Sequence, residues 1–181
     1  FFHSSWFLMP IGIGLAVSIF ERKRLLELFG WQLAAAHLAN IGFVLLPLRP
    51  PWMYEGVHRI LAEQTFISYV DADNNPVASF PSLHAGFPMV IGLFLLLRSE
   101  RLRMLGWPMI VYALGVGLAV MYLGEHWAID VLAGYALAGG VALLFMSAAV
   151  ARRVRAIPGD PVGWLQAFAA RTLVLPKSPR P

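Results

Sequence analysis

The chain has 181 residues, of which 59% are hydrophobic and only 13% are charged. Soluble domains carry about 25% charged residues, so this composition argues against an ordinary soluble protein and indicates one embedded in a membrane. The length suits a single helical domain over residues 1–181. Because the chain has no cysteine, disulfides and thiolate metal sites are excluded. The net charge of +4 is compatible with nucleic-acid binding until the distribution of the charges is considered.

Five apolar runs follow one another along the chain, at 6–20, 31–48, 86–98, 105–123 and 127–150. A membrane-spanning helix needs about 20 residues, with a range of roughly 17 to 25. The fourth and fifth runs are long enough, the second is just long enough, and the first and third are short. We predict that the third helix begins earlier, near Pro81 or Ser82, because proline is tolerated in the first turn of a helix.

Small residues recur at four-residue spacing within these runs, as Gly12/Ala16, Gly115/Ala119 and Gly134/Ala138. Such spacing lets the backbones of neighbouring membrane helices approach closely. The sequence therefore predicts an all-α fold, a polytopic membrane helical bundle with five visible spans and no strands of consequence.

The connections between the runs alternate in charge. Segments 21–30 and 98–104 each carry three basic residues, and the tail 151–181 is also basic. Loop 49–85 has four acidic residues against two basic ones. The positive-inside rule then places the basic segments in the cytoplasm, and it places loop 49–85 and the turn at 124–126 on the extracytoplasmic face. This topology accounts for the net charge without nucleic acid, and the odd number of spans predicts a sixth span upstream of Phe1.

Two segments outside the spans have recognisable patterns. Loop 49–85 is too long for a simple connection, and residues 50–66 mix aromatic with charged side chains, which indicates an amphipathic segment in the membrane interface. The alternative is a loose polar loop. Asp160 and Pro161 are suited to begin a helix in the tail, and its apolar face, from Trp164 to Phe168, would rest on the cytoplasmic membrane surface.

The predicted topology brings residues from three helix ends to one membrane face. His126 and Asp130 are four residues apart, so their side chains share one side of a helix. Asp130 would hydrogen-bond one ring nitrogen of His126 and leave the other as a nucleophile or base. We expect His84 to face His126 across a gap of the size of a phosphate group. The alternative for Asp130 is a carboxylate that only snorkels or ties helices together.

The other residues at this face are suited to bind an anion. Ser82 and the backbone N–H groups around it, including that of Leu83, lie at the start of the third helix, where the helix dipole attracts negative charge. His84 beside that anion would be a general acid for a leaving group. Arg49 adds a guanidinium suited to phosphate. The alternatives are that Ser82 is only a helix cap and that Arg49 only anchors the chain to lipid headgroups.

The runs "LRP", "PSLH" and "YLGEHWAIDVLAG" resemble the three signature motifs of the type 2 phosphatidic acid phosphatase superfamily. The match covers roughly 49–135, and its wording is closest to the branch that contains inositol phosphorylceramide synthases. The resemblance implies a six-span core and a phosphohistidine intermediate, with no cofactor or metal. It implies that His126 is the nucleophile, Asp130 its partner and His84 the acid, and that Arg49 and the Ser82–Leu83 segment hold phosphoryl oxygens.

The chain departs from the family pattern at two positions. Gly42 stands where the first motif has a lysine, and Val120 stands where the third motif has an arginine. With two cations missing, we expect the substrate to be a phosphodiester lipid and the reaction to be headgroup transfer. Dephosphorylation of a lipid monophosphate, releasing inorganic phosphate, is the alternative. Arg59 is not expected to fill the gap, because it lies on a loop that we predict to be mobile.

Two other function classes remain open from the sequence. A metal-dependent membrane hydrolase would use His84, His126, Asp130 and Glu125 as zinc ligands, although the chain has no His-Glu-x-x-His pattern. A lipid transporter or scramblase would use His37 and Asn40, but we expect these two to hydrogen-bond between helices. His3 and His58 are interpreted as interfacial bystanders.

The charge pattern predicts that loop 49–85 is extracytoplasmic and that segment 98–104 is cytoplasmic. With cysteines introduced separately at Asn75 and Ser99, an impermeant thiol reagent applied to intact cells should label the first and spare the second. Labelling at Ser99 but not at Asn75 would invert the topology.

Overall fold

The computed structural model describes residue 5 and residues 8–60 and 78–147. The predicted tail helix after Asp160 lies outside the described residues, as does the middle of the predicted extracytoplasmic loop. Within the described ranges the regular structure is helical and no strand is present. The five helices are α1 (Leu8–Phe20), α2 (Leu25–Leu45), α3 (Leu83–Arg98), α4 (Gly106–Tyr122) and α5 (Ala128–Met146).

These helices coincide with the five predicted apolar runs, which confirms the all-helical fold. Three segments are long and apolar enough to cross a membrane, namely Arg22–Leu45, Arg103–Tyr122 and Ala128–Met146. Helices α1 and α3 are apolar but shorter. Large apolar side chains point away from the bundle along α1, α4 and α5, as at Leu15, Leu118 and Leu143. An apolar outer surface of this kind is typical of a helical membrane protein.

Helix α2 differs from the prediction at both ends. It begins at Leu25, six residues before the apolar run, because the buried Glu27 carboxylate is neutralised by two arginines. Arg24 donates to Glu27 at 3.1 Å, and the Arg98 Nε of α3 donates to it at 2.5 Å. The helix ends before Pro47, since a proline disfavours the helical conformation of the residue that precedes it.

Helix α3 lies at the centre of the bundle and packs against α2, α4 and α5. Its core face is fully buried, with Phe94 in edge-to-face contact with Trp31 of α2 at a centroid distance of 5.6 Å. Trp31 also contacts Phe145 of α5 at 5.4 Å, so one indole joins three helices. The predicted start of α3 is confirmed, because Ser82 is its N-cap.

Two glycines let α3 and α5 approach closely. A Cβ atom added to Gly134 would lie 2.3 Å from the Ser82 carbonyl oxygen, and one added to Gly86 would lie 3.2 Å from the Gly134 carbonyl oxygen. The prediction of close packing is therefore confirmed for the Gly134/Ala138 pair, whose alanine is fully buried. At Gly12, by contrast, an added Cβ would meet nothing within 4 Å in the described part of the chain, so the prediction is wrong there. The contact sets the first turn of α3 against the first turn of α5.

The carboxylate of Glu21 ties the end of α1 to the loop between α3 and α4. It accepts hydrogen bonds from the Ser99 hydroxyl at 2.9 Å, from the Glu100 N–H at 2.7 Å and from the Arg101 N–H. Partial burial alone would raise the pKa of Glu21, but these bonds and the nearby Arg24 charge hold the pKa below its ordinary value of 4.5. The basic segments thus meet at one end of the bundle.

We expect Glu21 to stabilise the fold mainly above its ordinary pKa. Because the folded pKa is lowered, this stabilisation is present at neutral pH and is lost as the pH falls through and below about 4.5. Glu21→Gln should lower the thermal midpoint of the detergent-solubilised protein at neutral pH, and the difference from wild type should shrink in acid. A difference of constant size at both pH values would contradict this role.

Candidate active site

Two histidines from different helices are in direct contact at the end of the bundle opposite the basic segments. His84 lies in the first turn of α3, and His126 lies in the turn that precedes α5. The His84 Nδ1 and the His126 Nε2 are 3.0 Å apart, and the ring centroids are 5.2 Å apart at an angle of 63°. His126 is only 6% exposed, and His84 is half-buried.

This geometry differs from the expected one, because no phosphate-sized gap separates the two rings. A hydrogen bond between two ring nitrogens holds one proton, so one ring donates and the other accepts. The site is therefore closed in this structure. The close packing of α3 on α5 at Gly134 brings the two rings into this contact.

Asp130 is fully buried beside the histidines but does not hydrogen-bond to His126. Its Oδ2 lies 3.6 Å from the His126 Nδ1, beyond hydrogen-bond distance but within reach of an electrostatic attraction. The same oxygen accepts from the Ser79 hydroxyl at 2.5 Å and from the Trp127 N–H at 2.8 Å. The carboxylate is drawn toward these two donors because Asp130 lies in the first turn of α5, where it caps the helix.

Sequence reasoning missed Ser79. It is buried, and its hydroxyl orients the Asp130 carboxylate from a position three residues before the cap of α3. The signal was a second serine in the run "SFPSLH", but its partner is 51 residues away in the chain. Only the assembled bundle shows the contact.

Ser82 caps α3, which is the structural alternative that the sequence left open. Its side chain is fully buried and accepts from the Ala85 N–H at 3.5 Å, and its own N–H donates to the Asp130 carbonyl at 2.9 Å. Leu83 follows as the first helical residue, and within the described ranges its N–H has no hydrogen-bond acceptor. That amide is part of the positive end of the helix, which is suited to an anion.

Arg49 lies at the same end of the bundle as the histidines. Its carbonyl oxygen accepts from the indole N–H of Trp127 at 3.2 Å, which places its backbone next to the residue that follows His126. The Arg49 side chain is exposed, and no residue in the described part of the chain forms an ion pair with it. This guanidinium is therefore available to an incoming anion.

Arg59 and Glu125 form a buried ion pair beside His126. The Arg59 Nε donates to one carboxylate oxygen at 2.8 Å and its Nη2 to the other at 3.2 Å, and the two side chains are 8% and 6% exposed. The guanidinium also stacks on the Trp52 ring at 4.3 Å from its centroid. The sequence placed Arg59 on a mobile loop, whereas its side chain is buried here and the Trp52 N–H donates to the Gly124 carbonyl, so this segment contacts the turn around Gly124.

The pairing of Glu125 with Arg59 bears on the zinc hypothesis. Among the described residues, no group of three or more histidine, aspartate or glutamate side chains is arranged to hold a metal ion. The Glu125 carboxylate is engaged by the Arg59 guanidinium rather than directed at the histidines. Within residues 8–60 and 78–147, the four residues named in the zinc hypothesis therefore do not form a ligand set.

The polar residues of the transporter hypothesis lie on the exposed surface of the described bundle. His37 is exposed, and its Nδ1 is 2.7 Å from the Leu33 carbonyl oxygen of its own helix. The expected hydrogen bond between helices is therefore wrong for His37. Asn40 and His58 are also exposed, and His3 lies outside the described residues.

The places of the two missing cations are filled by packing. A Cβ added to Gly42 would lie 2.6 Å from the Pro81 Cδ, so α2 approaches the entry to α3 too closely for a side chain. Val120 is fully buried in an apolar cluster with Ala85 and Val131. Neither position has room for a lysine or an arginine without rearrangement.

Comparison with known proteins identifies the family of this chain. Undecaprenyl-diphosphatase BcrC of Bacillus subtilis (strain 168) is 34% identical over 68 residues, which is 38% of this chain. The match covers 34% of that relative, so the chain spans about a third of the length of the curated protein it matches. No solved structure matches the chain significantly. A family model described as the PAP2 superfamily matches residues 1–144, well over half of the chain, and the chain therefore belongs to the PAP2 superfamily.

Proposed function

We propose that this protein cleaves a membrane lipid phosphate by transferring its phosphoryl group to His126 and then to water. The observation that carries the proposal is the contact of the His126 Nε2 with the His84 Nδ1, beside the buried Asp130. Family membership and the similarity to an undecaprenyl-diphosphatase support chemistry of the phosphatase type. The inositol phosphorylceramide synthase-like branch stays a prediction.

In the first step the His126 Nε2 attacks phosphorus while the bond from phosphorus to the leaving oxygen breaks. His84 donates a proton to that oxygen, which leaves as the lipid alcohol or as the lipid monophosphate. The Asp130 carboxylate, 3.6 Å from the His126 Nδ1, stabilises the positive charge that develops on the imidazole. In the second step His84 takes a proton from water, which attacks the phosphohistidine, releases phosphate and restores His126.

Substrate binding has to separate the two histidines. A bound phosphorus lies about 3–3.5 Å from the attacking nitrogen, and the leaving oxygen lies about 2.6–3.2 Å from the acid. The observed contact of 3.0 Å leaves no space for these atoms between the rings. His84 is the half-buried member of the pair, so its ring is the one with room to turn away.

The phosphoryl oxygens are bound, in this proposal, by the Arg49 guanidinium, the Leu83 N–H and the positive end of α3. Ser82 shapes that end by capping the helix. The site would lie on the extracytoplasmic face, because the basic residues of the Glu21 region lie at the opposite end of the bundle. Several membrane crossings would then hold the site at the level of the lipid headgroups.

Transfer of a phosphodiester headgroup is a second candidate, and the filled sites at Gly42 and Val120 favour it. A diester carries one negative charge at the reacting phosphorus and needs fewer cations than a monoester dianion. Restoring the cations by Gly42→Lys or Val120→Arg is not a clean test. The first would collide with Pro81, and the second would bury a guanidinium in an apolar cluster. The substrate has to be varied instead.

A panel of labelled lipids distinguishes the candidates. The purified protein is given a lipid monophosphate, a lipid diphosphate and a phosphodiester lipid, each with water alone or with inositol as acceptor. We expect release of inorganic phosphate from a lipid phosphate, at a rate that a chelator does not lower. If transfer of a diester headgroup to inositol were faster than release of inorganic phosphate, the protein would be a phosphotransferase and the phosphatase proposal would be wrong. Failure with every lipid would contradict both.

The proposed roles of the two histidines predict that the loss of rate on substitution depends on the leaving group. His126→Ala should abolish turnover and the acid-labile phosphoenzyme. His84→Ala should slow a lipid alcohol leaving group by about 10²–10⁴-fold but slow nitrophenolate much less, because an activated leaving group needs no proton. His37→Ala, at an exposed histidine of α2, is the matched control and should leave both rates unchanged. Equal losses on both substrates for His84→Ala would indicate that His84 binds phosphate and does not donate a proton.

A further inference from the structure

The segment from Arg49 to Arg59 packs on the turn that presents His126, through contacts that the phosphoryl chemistry does not itself require. The Trp52 N–H donates to the Gly124 carbonyl at 3.1 Å, and Tyr54 meets Trp127 edge to face at 5.8 Å. The Trp127 indole in turn donates to the Arg49 carbonyl. Trp52, Tyr54 and Trp127 thus lie at the contact between this segment and the turn.

The buried ion pair is the strongest of these contacts. The Arg59 guanidinium donates hydrogen bonds to both carboxylate oxygens of Glu125, and the Trp52 ring covers one face of the guanidinium. A bidentate arginine–carboxylate pair fixes the relative orientation of its partners as well as their separation. Burial of both side chains keeps solvent from weakening the attraction. Glu125 is therefore held in one orientation.

The backbone of the turn is held from the α4 side as well. The N–H groups of Glu125 and His126 both donate to the Val120 carbonyl, at 2.9 and 3.2 Å. Gly124 has a φ of +78°, and a Cβ there would lie 2.9 Å from the His58 carbonyl oxygen, so both the conformation and the space require glycine. Glu125 lies between this glycine and the nucleophile.

We propose that Arg59 and Glu125 are a positioning pair that fixes the His126 imidazole for in-line attack, an inference that rests on the proposed function. Glu125 is joined to His126 through the backbone, so any rotation of the turn that frees the carboxylate also displaces the imidazole. Reaction rates depend steeply on such placement, since a shift of about 1 Å can cost about 10²-fold. Arg59 acts through Glu125 and does not touch the reacting atoms.

The charge of Arg59 is consistent with positioning rather than with phosphate binding. The Arg59 side chain is 8% exposed, and the Glu125 carboxylate balances its charge in a bidentate contact. An anion approaching Arg59 would meet the Glu125 charge at the same place. Direct binding of a phosphoryl oxygen by Arg59 is the competing role, and the two roles predict different kinetic changes.

The test uses three variants, namely Arg59→Gln, Glu125→Gln and the double variant that combines these two changes. Glu27→Gln is the control variant, because the buried Glu27 carboxylate forms an ion pair with the partly buried Arg98 at the opposite end of the bundle. We expect Arg59→Gln and Glu125→Gln to lower kcat by about 10- to 100-fold with KM nearly unchanged. The kcat of the double variant should be no lower than that of the less active single variant, because the pair acts as a unit. Glu27→Gln should lower the thermal midpoint but keep kcat.

Two results would overturn the proposal. A raised KM with unchanged kcat would show that Arg59 binds the substrate, and equal kcat losses in the Glu27 control would show a merely structural role. Should Arg59→Gln not fold, Arg59→Lys keeps the charge but loses the bidentate contact, and it should show a smaller kcat loss in the same direction.

A second measurement does not need turnover, so it separates failure of this inference from failure of the proposed function. Diethyl pyrocarbonate modifies accessible neutral imidazoles, and mass spectrometry locates the modified residue. Modification of His126, 6% exposed in the wild type, should be several-fold faster in Arg59→Gln, while that of the exposed His37 stays constant. An unchanged rate at His126 would contradict the positioning role even if no lipid were cleaved.

Discussion

The site depends on the close approach of α3 and α5 at Gly134. The Ser82 carbonyl occupies the space that a side chain at residue 134 would need, and Gly86 meets the same glycine from the other side. The Ser82 N–H then reaches the Asp130 carbonyl, so the cap of one helix is bonded to the first turn of the other. One additional methyl group at this crossing would separate the two helix ends and, with them, the two histidines. A packing constraint thus sets the distance between the two imidazoles.

The burial of the Asp130 carboxylate has an energetic cost that hydrogen bonds to its Oδ2 offset in part, since its Oδ1 is buried without a partner among the described residues. An isolated carboxylate inside a protein is costly, and hydrogen bonds to the charged form offset that cost. Ser79 and the Trp127 N–H provide two such bonds to one oxygen, which also faces the His126 ring. These donors hold the carboxylate in place without a substrate, so in the proposed mechanism it would need no reorganisation when positive charge develops on His126. This is electrostatic preorganisation by a helix cap.

The sequence predicted what depends on local pattern. The helices follow from hydropathy, and the meeting of Ser82, His84, His126 and Asp130 follows from the alternation of the loops. The start of α2 was missed because one of the two arginines that neutralise Glu27 is Arg98, 71 residues away. The pairing of Arg59 with Glu125 was missed because the two residues are 66 positions apart, and Arg59 was expected to lie on a mobile loop. The spacing of Gly134 and Ala138 predicted close packing of α5, but it did not specify that the partner is the start of α3, and the contact between the histidines depends on that partner.

The positive charges at the end of the bundle that carries the two histidines bear on which of the two candidate substrates would fit the site. The ion pair with Glu125 balances Arg59, so Arg49 is the one exposed arginine or lysine at this end within residues 8–60 and 78–147. One guanidinium and a helix end match the single charge of a diester phosphorus. A monoester dianion needs one more positive charge, and a protonated His84 can supply it when the ring turns away from His126. The proton required by the leaving group is then also the missing cation. Discrimination between the two substrates would therefore depend on the protonation of one histidine and not on a fixed arginine.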